Sequence, residues 1–88
     1  MRRYPNGLQD IMDSIDSGIP LIAAQARRHD DPTAHYRLVT GYDILNNIII
    51  FDDPELGPEI EVFCSVFEAL WHTQGQDHVA LKISRERH

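Results

Sequence analysis

Ala34-His35-Tyr36-Arg37-Leu38-Val39-Thr40-Gly41-Tyr42, then Asp43-Ile44-Leu45-Asn46-Asn47, then Ile48-Ile49-Ile50-Phe51-Asp52, is the stretch on which the fold turns. Its first segment is rich in Tyr, Val and Thr, side chains that suit a pleated, half-buried surface. Asn46-Asn47 tolerates the left-handed angles that a tight hairpin needs, and the apolar run after it is strand-sized. The pattern predicts two antiparallel strands joined by a turn over 43–47. Upstream, Gly18-Ile19-Pro20 leads into Leu21-Ile22-Ala23-Ala24-Gln25-Ala26, short and nearly all apolar, which predicts a buried strand. Downstream, Asp53-Pro54-Glu55-Leu56-Gly57-Pro58 has the prolines and glycine of a loop, and Glu59–Phe63 alternates like an edge strand.

Two helices flank these strands. Between Gly7 and Ser17 the apolar residues Leu8, Ile11, Met12 and Ile15 fall on one helical face, with Asp10, Asp13 and Asp16 on the solvated side. Asn6 can cap this helix, and Gly18 can end it in a left-handed conformation. Ser65 predicts the cap of a second helix through Thr73, with Glu68 closing a capping box and Val66, Phe67, Leu70 and Trp71 as its apolar stripe. Gly75 ends that helix, and His78–Ile83 alternates as a last strand. Arg27–Thr33 is expected to be a charged loop, with Pro32 barring central pairing. The resulting organisation is an arm at 1–6, a single domain over 7–84 and a tail at 85–88. The fold class is α+β, with a mostly antiparallel sheet of four to five strands flanked by two helices.

Length and composition fit one small globular domain. The chain has 88 residues, 42% of them hydrophobic and 25% charged. Its formal net charge of −6 argues against nucleic acid or anionic lipid as a partner, because an acidic surface releases no counterions from either. The single cysteine, Cys64, excludes an internal disulfide. No apolar run has the length to span a membrane, and no apolar stretch follows Arg2 and Arg3 as in a signal peptide. A soluble protein of the cytoplasm is expected.

Three pieces together are similar to the C-terminal half of papain-like cysteine peptidases. They are Gly18–Ile22, His35-Tyr36-Arg37-Leu38-Val39-Thr40-Gly41-Tyr42-Asp43, and Ile49-Ile50-Phe51-Asp52-Asp53-Pro54. The closest branch is the double-glycine peptidases that trim bacteriocin leaders in bacteria. The resemblance runs over roughly residues 8–83, with Ser65–Trp71 matching the closing helix and Val79–Ile83 the final strand. It implies that His35 occupies the catalytic His position and Asp53 the orienting Asp. It also implies a nucleophilic Cys and an oxyanion-binding Gln on a helix preceding this half, and residues 1–7 match neither. A split half, a shortened relative and a domain that has lost the chemistry all fit.

Each candidate residue also has a plainer reading. A hairpin centred on Asn46-Asn47 places residue 58 opposite His35, so contact with Asp53 requires a slipped or irregular connection. Asp52 competes with Asp53 for the carboxylate role, and alternation along a strand lets only one of the two face His35. Cys64, beside Phe63 and Val66, is expected to be an apolar filler, although a helix start beside it can activate a thiol. His29, Asp30 and Asp31 with His35 make a suggestive metal cluster, but a Pro-containing loop fixes no coordination geometry, and a solvated loop is the simpler account. No metal or cofactor is expected. The function expected is the His/Asp part of a cysteine-peptidase-like site completed by a Cys-bearing half on another chain. The alternative is an inactive module that binds a peptide or protein partner, with a homodimer as one arrangement.

Overall fold

A computed structural model describes residues 2–28, 30–71 and 79–83. The elements in chain order are β1 (Arg2–Arg3), α1 (Leu8–Asp16), β2 (Leu21–Arg28), β3 (Asp31–Asp43), β4 (Ile48–Asp53), β5 (Gly57–Phe63), α2 (Cys64–Trp71) and β6 (Val79–Lys82). The strands form one sheet in the order β1-β6-β2-β3-β4-β5, with every neighbouring pair antiparallel. This is the α+β architecture that the sequence predicts. The stretch 1–6, expected to be an arm, contributes β1, paired with Ala80 and Val79, and the buried Tyr4.

Strand register sorts the side chains onto two faces. Leu21 pairs with Val39, Val39 with Phe51 and Phe51 with Ile60, while Ala23 pairs with both Arg37 and Ala80. Alternation therefore sets Leu21, Ala23, Val39, Ile49, Phe51 and Ala80 on one face. All six belong to a single buried cluster that also holds Ile11 of α1 and Phe67 and Trp71 of α2. Both helices thus cover the same face. The other face carries the rows Leu81–Ile22–Leu38–Asp52 and Gly41–Ile50–Glu61, and neither helix covers it.

The ends of the helices show where local sequence acts. Gly18 has φ 79°, and the amides of Gly18 and Ile19 donate to the carbonyls of Ile15 and Ser14. That pair of bonds is the Schellman closure expected of a glycine just past a helix end. At the start of α1, Gly7 rather than Asn6 is the cap residue, and the Asn6 amide donates to Asp10 Oδ2. α2 begins at Cys64, one residue before the predicted cap, so Ser65 lies inside its first turn.

The charged loop expected over Arg27–Thr33 is a correction. β2 and β3 run to Arg28 and from Asp31, which leaves a two-residue connection. Pro32 is accommodated because the β2–β3 ladder shifts register between Ala26 and Arg28, and β4 does not extend alongside it. β3 runs through Gly41-Tyr42-Asp43, paired opposite Ile50, Ile49 and Ile48, so Asp43, expected in the turn, closes the strand. The expectations for Thr73, Gly75, His72, His78, His29 and the tail 85–88 lie outside the described residues.

Candidate functional site

His35 and Asp53 meet, and two irregularities of the sheet bring them together. The β3–β4 turn is closed by Asp43 and Ile48, with Asn47 at φ 57°, so it is a four-residue turn and not one centred on Asn46-Asn47. Thr40 is then an extra residue, because Val39 pairs with Phe51 but Gly41 with Ile50. Beyond this bulge Leu38 faces Asp52, which puts Asp53 across from Arg37 and diagonal to His35 on the same face. The three-residue slip from the position expected opposite His35 is the sum of these features.

The His35 Nε2 lies 3.0 Å from Asp53 Oδ2. Asp52 points to the opposite face, where its Oδ1 accepts the Glu59 amide at 2.9 Å. Alternation therefore decides the contest between the two acids in favour of Asp53 as the partner of His35.

Asp53 is held from every side. Its side chain has no accessible surface. Oδ1 accepts the amides of Glu55 at 2.6 Å and Leu56 at 3.0 Å, in the tight turn that Pro54 opens. Oδ2 accepts Arg37 Nε at 2.8 Å as well as the His35 contact. Burial works to raise this carboxyl, but the Leu56 and Glu55 amides, His35 and Arg37 outweigh it and hold it at about 2.

Arg37 and Gln25 extend the constellation and were missed in the sequence. The Arg37 guanidinium, 5% exposed, donates from Nη1 to Gln25 Oε1 at 2.9 Å and the Ala26 carbonyl at 3.2 Å, and from Nη2 to the Arg27 carbonyl at 2.9 Å. Gln25 donates from Nε2 to the Phe67 carbonyl at 3.0 Å, which ties the network to α2. One signal for Arg37 was present: it shares strand parity with His35 and Val39, so a core-facing Val39 forces a buried cation that needs an acid.

Cys64 stands elsewhere. It follows Phe63, which pairs with Ile48, while Asp53 is at the other end of β4. Five residues of strand separate the two ends, about 17 Å. Burial pushes the Cys64 thiol up, and its own backbone amide only partly offsets that. It is neither activated nor within reach of His35, in keeping with its reading as a filler.

Among the described residues, one group of side chains has metal-ligating types: His35, Asp53 and Glu55 bring ligand atoms within 4.8 Å of one another. The surroundings oppose a cation there. Arg37 already occupies Asp53 Oδ2, and Arg27 Nη2 lies 2.8 Å from Glu55 Oε2. On the uncovered face, a cleft of about 390 Å³ opens beside the site, lined by Ile22, Tyr36, Leu38, Asp52, Pro54 and Pro58 among others.

No curated protein and no solved structure gives a significant match to the chain. The sequence profile of the Peptidase_C39 like family matches residues 2–79, which takes in every element from β1 to α2 and the whole Gln25–Arg37–Asp53–His35 network. The chain is a peptidase-like domain and belongs to the Peptidase_C39 like family.

Proposed function

We propose that the chain supplies the His/Asp part of a papain-like cysteine-peptidase site, completed by a Cys-bearing half on another chain. His35 is the base and Asp53 its orienter. The observation that carries this reading is the 3.0 Å contact between His35 Nε2 and a carboxylate that is already fixed by two amides and a guanidinium. An acid held so rigidly sets the imidazole plane and leaves Nδ1 to address a thiol. The chain's own thiol is about 17 Å of strand away, so the nucleophile comes from outside residues 2–71.

In the reaction, the partner's thiol gives its proton to His35, and the thiolate attacks the peptide carbonyl. The C–N bond breaks as His35 passes the proton to the leaving amine, which leaves a thioester. Water then attacks the thioester with His35 accepting its proton, and the acid and the free thiol are released. A bacterial, cytoplasmic setting and the binding of a peptide substrate belong to the same proposal.

The test mixes the chain with the Cys-bearing amino-terminal segment of a double-glycine peptidase and follows cleavage of a fluorogenic leader peptide. Cleavage that needs the segment's cysteine and is abolished by His35→Ala supports the reading. Tight binding without cleavage overturns it. That result points to the second reading, an inactive module that holds a peptide or protein partner, which the apolar cleft beside Asp53 favours.

A further inference from the structure

One residue of α2 reaches the His35–Asp53 pair by two routes. The Phe67 carbonyl accepts Gln25 Nε2 at 3.0 Å, and Gln25 Oε1 accepts Arg37 Nη1 at 2.9 Å. The Phe67 ring meets the Phe51 ring with centroids 6.2 Å apart, and the Arg37 guanidinium lies over Phe51, 5.3 Å from its centroid. Both routes end on Arg37, whose Nε donates to Asp53 Oδ2, the same oxygen that lies against His35.

Each link leaves its neighbour one arrangement. A carbonyl can only accept, so Gln25 must turn its amide nitrogen to α2 and its oxygen to Arg37. The flipped amide would set donors against the guanidinium and an oxygen against the Phe67 carbonyl. The planar guanidinium is then fixed by Gln25, by the Ala26 and Arg27 carbonyls and by Asp53. With Oδ1 taken by two amides, Asp53 has only Oδ2 to offer His35. The carboxylate is ionised at neutral pH and only accepts, so the ring must carry its proton on Nε2. Gln25 also pairs directly with His35 across β2 and β3, which makes the two side chains neighbours on one face. Gln25 is 2% exposed, and a buried amide is costly unless both of its ends are used.

We propose that Gln25 is a positioning residue, which carries the placement of α2 from Phe67 through Arg37 and Asp53 to the imidazole of His35. Gln25 touches no reacting atom. Its effect on cleavage rests on the peptidase reading, whereas its effect on the ring does not.

The experiment reads the tautomer of His35 from the nitrogen shifts of its ring, in the full chain at about pH 8, where a free imidazole is neutral. Wild type is compared with Gln25→Met, which keeps a long unbranched side chain and removes both hydrogen bonds. The wild type is expected to hold the proton on Nε2 alone, and Gln25→Met to show both tautomers in exchange. Ile11→Val is the control for lost stability, because it thins the same buried cluster from α1 without touching the network. It is expected to lower the melting temperature and leave the ring unchanged. In the complementation assay Gln25→Met is expected to lower kcat about tenfold with KM unchanged, since the aim of the base is lost and not the hold on the peptide. If the wild type does not cleave, the peptidase reading fails and the ring signals still decide this one. A wild-type ring protonated on Nδ1 overturns the proposal. So does a Gln25→Met ring still wholly on Nε2, or an equal tautomer change in Ile11→Val. Should Gln25→Met not fold, water exchange of the Gln25 side-chain amide protons decides in the wild type. Protection supports the proposal, and exchange at the rate of free glutamine overturns it.

Discussion

Protonating Asp53 should cost the fold about 2 kcal/mol, and the size follows from its surroundings. The carboxyl is held at about 2 against an ordinary 3.8. Each pKa unit is worth about 1.4 kcal/mol of differential stability, so the shift corresponds to about 2 kcal/mol. The sign follows from which state binds the proton first. As pH falls through 3.8 the unfolded chain takes up a proton that the folded chain still refuses, and the native advantage shrinks. Well above 3.8 the contribution is complete, and it is lost as pH falls through about 2. The assay is urea unfolding of wild type and Asp53→Asn at steps from pH 6 to pH 2. Asp53→Asn starts lower, by about 3–5 kcal/mol, because it leaves the Arg37 guanidinium buried without its anion. Other acids titrate in both proteins, so the quantity to read is the gap between the two curves, which narrows by about 2 kcal/mol across pH 5 to 2. Parallel curves refute the reasoning. If Asp53→Asn is too unstable to measure, the Asp53 carboxyl carbon of the wild type can be titrated by NMR, and a midpoint near 3.8 refutes it equally.

Three further outcomes are expected. Cys64 should be alkylated by iodoacetamide only as pH approaches or passes the ordinary thiol range, at the same rate in His35→Ala, since burial raises the thiol and His35 is remote; a fast rate below pH 7 that His35→Ala removes would overturn its placement. His35→Ala should cost within about 1 kcal/mol of stability, because Asp53 keeps three donors, whereas Arg37→Ala should cost about 3–5 kcal/mol by leaving Asp53 short of its cation; equal losses in denaturant midpoint would count against the network. Gly18→Ala should lower stability by about 1 kcal/mol through its left-handed angle alone, there being nothing within 4 Å of the added carbon, while Gly41→Ala, whose new carbon would meet Ile50 Cδ1 at 3.6 Å, should be nearly neutral; a larger loss at Gly41 would show the opposite.

Periodicity made the elements legible, while register stayed hidden. The α1 stripe of Leu8, Ile11 and Ile15, the strand at Leu21 and the edge strand at β5 each follow from spacing alone, because one buried face imposes a period. The Arg27–Thr33 stretch misled because charged residues and Pro32 are local signals of a loop, whereas a ladder shift lets β2 and β3 pair to within two residues of each other. Register depends on turn length and on bulges, and no local propensity announces that Thr40 is the extra residue. That single residue decides which carboxylate can meet His35. The rule that Asp52 and Asp53 point to opposite faces was available in the sequence, and the structure applies it. Arg37 escaped notice because a charged residue in a strand is ordinarily assigned to solvent, although its parity with Val39 placed it inside.

The network separates what stability needs from what chemistry needs. A buried carboxylate must be paid for with donors, and the Glu55 and Leu56 amides with Arg37 already provide three of them across both oxygens. Gln25 and two backbone carbonyls in turn occupy the guanidinium, so Arg37 and Asp53 close on each other without help from His35. The His35 contact is therefore surplus to the folding problem. Its effect runs the other way: a carboxylate that cannot rotate fixes one nitrogen of an imidazole whose side chain is only 11% exposed, and so fixes where the second nitrogen points. A histidine kept merely as core filler needs an acceptor for its ring N–H, but it does not need one locked this firmly. A histidine kept to meet a thiol would lose its aim without it, and that asymmetry favours the peptidase reading over a chance contact between neighbouring strands.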